Sequence, residues 1–268
     1  MQNDITPPAV SVLIPTVRMD EHLDIAVTSA LAQTMGAVEV VVVLDGGEVG
    51  ATPPEWAEDR RVTVLSSSER RGTASTLNTA IGRSSAPLVA RLDADDVSEP
   101  ERLARQVAAL DAHPEWDGLG AAATVVDADG AVLGTIDVPT EDTARHLLRR
   151  NPFVHSSMLL RRRALDRVGG YDPRCVRMQD YDLWLRLSLE GTLGNLDEPL
   201  VQYRVHEGMH SRRTSPFSAS ARTVLASRRR LARRLGEPAA RQLARDGVWT
   251  AGQALRNAGL RRPRYLAP

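Results

Sequence analysis

The sequence predicts an α/β protein, with a mostly parallel sheet flanked by helices and a helical extension at the C-terminus. Three observations carry this expectation. Short β-branched runs alternate with segments of helical period through the first hundred residues, the pattern of strand–helix–strand units. Several of those runs end directly in a hydroxyl or carboxylate residue. Charge is divided along the chain as well: residues 1–215 hold 22 arginines against 32 acids, a net of −10, and residues 216–268 hold 12 against 2, a net of +10.

Residues 10–14 (VSVLI) form a β-branched run closed by Pro15 and read as a buried strand. Residues 20–33 follow with Leu23, Val27, Ala30 and Leu31 at helical spacing. The next strand, 38–44, is stopped by Asp45, Gly46 and Gly47. A third strand at 62–65 leads through a polar loop into a helix over 73–81. The fourth, 87–92, runs into the cluster Asp93, Asp95 and Asp96. Beyond it, 120–126 and 131–136 flank a turn at 127–130 and read as a hairpin. Residues 155–160 are a further apolar run, and Arg161, Arg162 and Arg163 mark the exposed start of a helix after it. Residues 179–189 are helical, with Leu183, Trp184 and Leu187 as the buried stripe.

From Pro216 the chain reads as two amphipathic helices separated by Gly236. Val224, Leu225, Leu231, Ala232 and Leu235 form one apolar stripe, and Leu243, Ala244, Val248, Ala251 and Leu255 form the other. The simplest arrangement packs both stripes on the preceding domain and leaves the arginines in water.

Composition removes several classes of chemistry. All 34 basic residues are arginine, so Schiff-base chemistry and the lysine-dependent phosphate sites are excluded. Cys175 is the only cysteine, which excludes an internal disulfide and a multi-cysteine metal site. No apolar stretch approaches the roughly 20 residues of a membrane-spanning helix, and the first eight residues, MQNDITPP, lack the features of a secretory signal. A cytoplasmic protein is expected, with peripheral contact at the inner face of the membrane as an option left open by the basic tail. Nucleic-acid binding is not expected, because residues 1–215 are net acidic.

Ligands of open parallel sheets bind outside the carboxyl ends of the strands. Thr16, Asp45 and the cluster at 93–96 each follow a predicted strand, so they are expected on one edge of the sheet. Three acids within four residues repel one another unless a cation or strong hydrogen bonds compensate, and such a cluster suits Mg²⁺ or Mn²⁺.

The ordered blocks SVLIPT, SALAQT, EVVVVLDGG, RGTASTLNTAI and ARLDADDVSEPERLARQVAAL, then NPFVHSSMLLRR, GGYD, QDYDLWLRL and EPLVQYRVH, make the sequence recognisable. From about residue 10 to 211 it resembles the inverting, GT-A-fold family-two glycosyltransferases, which use nucleotide-sugar donors. The resemblance implies a catalytic domain over 1–215, with a nucleotide-sugar half at about 10–100 and an acceptor-side half at about 101–215, and a basic helical tail over 216–268. It implies that Pro15 and Thr16 line the base pocket, that Asp45 bonds the base, and that Arg71 and Asn78 belong to the same wall. Asp93 would contact the ribose, and Asp95 would hold the metal that bridges the donor diphosphate. Asp180 would be the catalytic base, with Asp182 left to cap the helix; His155 would lie near the acceptor and His206 near the diphosphate or metal.

A UDP-sugar is the donor class the resemblance favours, with Mg²⁺ or Mn²⁺ as cofactor and a glycan, a lipid-linked molecule or a small molecule as acceptor. Four positions depart from the family pattern: Val17 and Arg18 replace a common Tyr-Asn, Leu44 a frequent Asp, and Gln179 a common Glu before the base. Two rivals stay open, a sugar nucleotidyltransferase and a nucleotide-sugar-binding scaffold that has lost turnover. For the tail, an oligomer interface stands beside the membrane contact.

Overall fold

The computed structural model describes residues 7–47, 54–206 and 215–260. Its centre is one nine-stranded sheet. The first four long strands are β1 (Val10–Thr16), β2 (Val38–Asp45), β3 (Val62–Ser67) and β4 (Leu88–Arg91). They lie in the order β3-β2-β1-β4 and are all parallel. Helix α1 (Glu21–Leu31) joins β1 to β2, and α2 (Thr73–Arg83) joins β3 to β4.

Both faces of this half are covered, so its strands are apolar on both sides. Val10, Val12, Ile14, Val40 and Val42 face one layer with Leu23, Val27, Leu103 and Leu110. Leu13, Val41 and Val43 face the opposite layer, with Leu77, Trp184 and Leu187. This two-residue alternation is the strand period expressed as two cores. Asp20 starts α1 by accepting the Leu23 N–H at 3.2 Å.

The second half extends the sheet. A two-residue strand, β5 (Val97–Ser98), and helix α3 (Arg102–Ala112) lead to the eleven-residue β6 (Trp116–Val126). The hairpin partner β7 (Val132–Ile136) pairs with residues 123–126 of β6, beyond the point where β8 (Leu159–Arg161) ends. The short α4 (Thr143–Leu147) and α5 (Arg162–Val168) are followed by α6 (Gln179–Glu190) and then β9 (Thr192–Arg204). The sheet continues β4-β8-β6-β9-β5, with β8 antiparallel to both neighbours and β6 parallel to β9.

Several local expectations change. The run at 155–160 opens as a 3₁₀ turn, His155–Ser157, before β8 begins. Arg161 and Arg162 are half-buried rather than exposed, each guanidinium capping one helix-end carbonyl and holding a second acceptor beside it, while Arg163 is exposed as expected. Arg161 donates to the Leu110 and Trp116 carbonyls at 2.8 Å, and Arg162 to the Ile81 carbonyl at 3.0 Å and Ser84 Oγ at 2.7 Å. Asp182 does not cap α6, where Met178 occupies that position without a side-chain bond. Asp182 instead accepts from Arg186 Nε at 2.7 Å and from Ser227 Oγ at 2.9 Å.

Ser227 belongs to α7 (Ala219–Arg234), which is capped by Ser218 and buries Val224, Leu231 and Ala232 in the same core as Trp184. The expectation for the last helix, α8 (Ala239–Asn257), is overturned. Its buried face is Gln242, Asp246, Trp249 and Gly252, while Leu243, Val248 and Leu255 are 56%, 76% and 45% exposed. The cause is electrostatic. Arg228 of α7 is fully buried, with its guanidinium over the Trp249 ring and 3.5 Å from Asp246. Arg229 Nε also donates to Asp246 at 2.8 Å. A buried guanidinium needs a carboxylate more than α8 needs to hide its leucines. No helix among the described residues is long and apolar enough to cross a membrane.

Removing Asp246 leaves Arg228 buried without its charge partner. Asp246→Ala is expected to lower unfolding stability by about 3 kcal/mol, read as an earlier urea midpoint; an unchanged midpoint would mean that this contact does not hold α8 in place.

Candidate active site

The parallel strands β1, β2, β3 and β4 end on the same edge of the sheet, and the expected site residues gather there in two groups. The register sets Thr16 beside Leu44, and Asp45 beside Ser67. Asp45 is buried, and its carboxylate accepts the backbone N–H groups of Arg71 at 2.7 Å and Gly72 at 2.9 Å. These bonds fold the loop before α2 over the end of β2. Gly46 permits the close approach, since it has φ 80° and a side chain there would meet Arg70. Between Asp45 and α2 lies a cavity of about 260 Å³, with Val43, Leu65, Ser66, Arg71 and Thr76 in its walls. Thr16 Oγ1 donates to the Arg18 carbonyl at 2.6 Å and turns the chain after β1, next to Pro15.

Asn78 is placed differently from its neighbours in that wall. Its amide is spent on Tyr171, donating to the carbonyl at 2.8 Å and accepting from the N–H at 2.9 Å. The segment after α5 is thereby pinned to α2. Gly169 and Gly170 (φ 72° and 68°) make the turn, and a side chain on Gly170 would strike Asn78 Oδ1.

The second group forms around the end of β4. Asp93 is ion-paired with Arg91 and accepts from Ser156 Oγ at 2.8 Å. Burial works to raise the Asp93 pKa, but the Arg91 guanidinium and the Ser156 hydroxyl outweigh it and hold it below the usual carboxylate range. Asp96 is fully enclosed; burial, then Asp93 and Asp95, push its pKa well up. Its Oδ2 shares the Ser156 hydroxyl with Asp93, and its Oδ1 accepts the Arg204 N–H at 2.8 Å. Arg204 then donates from Nε to the Asp95 carbonyl at 3.0 Å, so the last residue of β9 is tied to the acidic loop. This brings His206, two residues on, to 2.9 Å from Asp95 Oδ2.

Asp95 is the acid of the cluster that combines partial exposure with a raised pKa, caused by burial and then by Asp93. A raised carboxylate pKa beside a second carboxylate marks a place where a cation would be welcome. Asp95 and His206 together offer oxygen and imidazole nitrogen, a donor pair that fits Mn²⁺ and other first-row cations. Among the described residues, a separate group of possible ligands, Asp172, Cys175 and Asp182, lies near α6. Its carboxylates are already paired with Arg174 and Arg186, so it does not compete with the sheet edge.

His155 and Asp180 come to this cluster from the second half of the chain. His155 Nε2 lies 2.9 Å from the Tyr171 hydroxyl, with the ring edge-on to Trp184 at 5.9 Å. Burial, with help from Arg91, pushes the His155 pKa down to about 3, so the imidazole is neutral near pH 7. Asp180 is half-buried in the first turn of α6, directly after Met178 and Gln179, and Met178 has a left-handed backbone with φ 59°. A non-glycine residue in that region costs energy and is held only by its surroundings. Burial raises the Asp180 pKa and Asp93 adds to the rise, while the Tyr181 N–H and Arg91 oppose it. Asn151 Nδ2 donates to Asp180 Oδ2 at 2.7 Å.

Several residues of this centre were not among the sequence candidates. Arg91 is 3% exposed, and its Nε and Nη1 have no hydrogen-bond partner. Its signal was a cation inside an apolar strand, VARL. Tyr171, Ser156 and Asn151 stand inside the blocks GGYD and NPFVHSS, but nothing in spacing alone distinguishes them from structural residues. Arg204 acts through contacts between segments far apart in sequence, its N–H reaching Asp96.

The glycosyl transferase family 2 model matches residues 11–169. The chain is 30% identical over 198 residues to the amylovoran biosynthesis glycosyltransferase AmsE of Erwinia amylovora, across 72% of this chain and 74% of AmsE. Among solved structures, S. aureus TarS 1–349 in complex with UDP-GlcNAc superposes with a TM-score of 0.63 at 18% identity, across 94% of this chain and 73% of that one. The mannosyltransferase PcManGT of Pyrobaculum calidifontis, in complex with GDP-Man and Mn²⁺, gives 0.56 at 19% identity, across 95% of this chain and 87% of that one. The sheet is the mixed, mainly parallel one of GT-A glycosyltransferases, and the chain belongs to glycosyl transferase family 2.

Proposed function

We propose that this glycosyltransferase moves a sugar from a nucleotide-sugar, with a UDP-sugar as donor class, to an acceptor hydroxyl with inversion, assisted by a divalent cation. The observation that carries the reading is the convergence of Asp93, Asp95 and Asp180 on one sheet edge, although Asp180 lies far along the chain from the other two. The cavity beside Asp45 takes the base, with Arg71 in its wall; Pro15 and Thr16 end the neighbouring strand β1, beside Val43 and Leu44, and are not among its lining residues. Asp45 keeps its acceptor character toward a base N–H, because the loop holds it with backbone donors and not with a guanidinium. Asp93, fixed by Arg91 and Ser156, faces the ribose. Asn78 serves this site from behind, by placing Tyr171.

Asp95 and His206 would hold Mg²⁺ or Mn²⁺, and the imidazole in the pair suits Mn²⁺ better than Mg²⁺. Held there, such a cation would supply Lewis-acid stabilisation of the charge on the departing diphosphate. PcManGT, of the same fold, is in complex with Mn²⁺.

Asp180 receives the proton of the attacking hydroxyl. Attack from the face opposite the nucleotide inverts the anomeric carbon in one displacement. The raised pKa of Asp180 strengthens it as a base at neutral pH. His155 stays neutral and bonded to Tyr171, forming an uncharged wall on the acceptor side. A glycan, lipid-linked or small-molecule hydroxyl meets the requirements of this geometry.

Asp180→Asn is expected to lower kcat for transfer by about 10²–10⁴-fold while donor affinity stays within about twofold. Wild-type turnover in this variant would remove Asp180 as the base and point to another base.

The proton-accepting form of Asp180 is the carboxylate, so activity is lost as pH falls through its pKa. Because burial and Asp93 raise that pKa, the acid limb of kcat/KM should lie above the range of an exposed aspartate, about pH 4. An acid limb at or below that range, or none, would contradict the assignment.

A further inference from the structure

We infer that Asn151 is the positioning residue for the Asp180 carboxylate, holding one oxygen by a hydrogen bond so that the carboxylate has a fixed direction toward the acceptor. The inference deepens the reading of Asp180 as the base and rests on it.

The amide geometry leaves one orientation. Asn151 Oδ1 accepts the Phe153 backbone N–H at 3.1 Å, and Nδ2 lies 2.7 Å from Asp180 Oδ2. A backbone N–H can only donate, so the amide atom facing Phe153 is the oxygen and the atom facing Asp180 is the nitrogen. The amide is therefore a donor to Asp180 and cannot flip without losing both bonds. Its backbone is restrained as well, because Pro152 follows and confines Asn151 to extended conformations. Pro152 and Phe153 are both buried, which anchors the segment.

On the other side of the bond, Asp180 sits in the first turn of α6 beside a strained Met178, so the helix alone does not select its side-chain direction. The groups that act on it are Asp93 and Arg91 from the end of β4, the Tyr171 hydroxyl from the segment before α6, and the Tyr181 N–H of its own helix. Asp93 disfavours the carboxylate, and Arg91 and the Tyr181 N–H favour it. Asn151 adds a neutral donor to the favourable side. It stabilises the ionised form without the charge of an arginine, which would depress basicity much further. Gln179, at the position where the family pattern has a Glu, adds no charge of its own.

The test is a carboxyl-carbon NMR titration of protein labelled with ¹³C-aspartate, the Asp180 signal being the one missing from Asp180→Asn. Asn151→Ala removes the donor and should raise the Asp180 midpoint by about one pH unit. Asn151→Asp keeps an oxygen for the Phe153 N–H but sets a second carboxylate against Asp180, and should raise the midpoint at least as far. The acid limb of kcat/KM should move up by the same amount, read as nucleoside diphosphate release from whichever UDP-, GDP- or dTDP-sugar the wild type turns over fastest. At the plateau kcat should fall about tenfold with donor KM within about twofold. If Asn151 only capped Phe153, Asn151→Ala would leave the Asp180 midpoint and the acid limb where they are in wild type, and that result overturns the inference. Full turnover by Asp180→Asn would instead remove the base reading, and the NMR midpoints would still decide whether the hydrogen bond tunes Asp180.

Discussion

Three carboxylates, Asp93, Asp95 and Asp96, held within one loop at the end of a buried strand, are the constraint around which the rest of this molecule is arranged. Unpaired, they would repel one another at a cost the fold could not carry. The chain distributes the burden. Arg91 takes Asp93, Ser156 bridges Asp93 and Asp96, and the Arg204 N–H binds Asp96. Arg102, fully buried, lies within electrostatic reach of Asp96 and donates to the Arg91 and Met158 carbonyls. Asp95 is left with His206 at the cleft, as the natural place for a cation.

That distribution explains why the second half of the sheet is wound as it is. Ser156 comes from the turn before β8, which pairs with β4; Arg204 comes from the end of β9, which pairs with β6. The segments of β8 and β9 thus each deliver a residue to the loop. The same logic holds one layer out. Asn78 fixes Tyr171, Tyr171 meets His155, and Asn151 meets Asp180. Helix α7 then locks α6 through Ser227 and Asp182, so the helix that carries Asp180 is supported from the C-terminal segment.

The parts that sequence disclosed are those in which one physical demand dominates. Strands β1 and β2 are buried on both faces, and their continuous β-branched runs could hardly be read otherwise. The acids after them followed from the position of strand ends in a parallel sheet. Strand β9 escaped notice because Asp197, Glu198 and Pro199 interrupt it, at the place where its register with β6 shifts. The buried face of α8 runs against its apolar stripe because Arg228 and Arg229 of α7 draw Asp246 inward, a pairing that the stripe itself does not encode. Asn151 and Arg204 were illegible for a different reason: their partners are 29 and 108 positions away, and no local pattern encodes such a pairing.

The most direct measurement is a calorimetric titration with UDP, GDP and dTDP, with and without Mn²⁺, on the wild type and on Asp95→Asn. One nucleotide, UDP, should bind the wild type in a Mn²⁺-dependent way, and the substitution should abolish that dependence while leaving the protein folded. Equal, metal-independent binding to both proteins, or no binding of any nucleotide by the folded wild type, would contradict a donor site organised by the acidic loop.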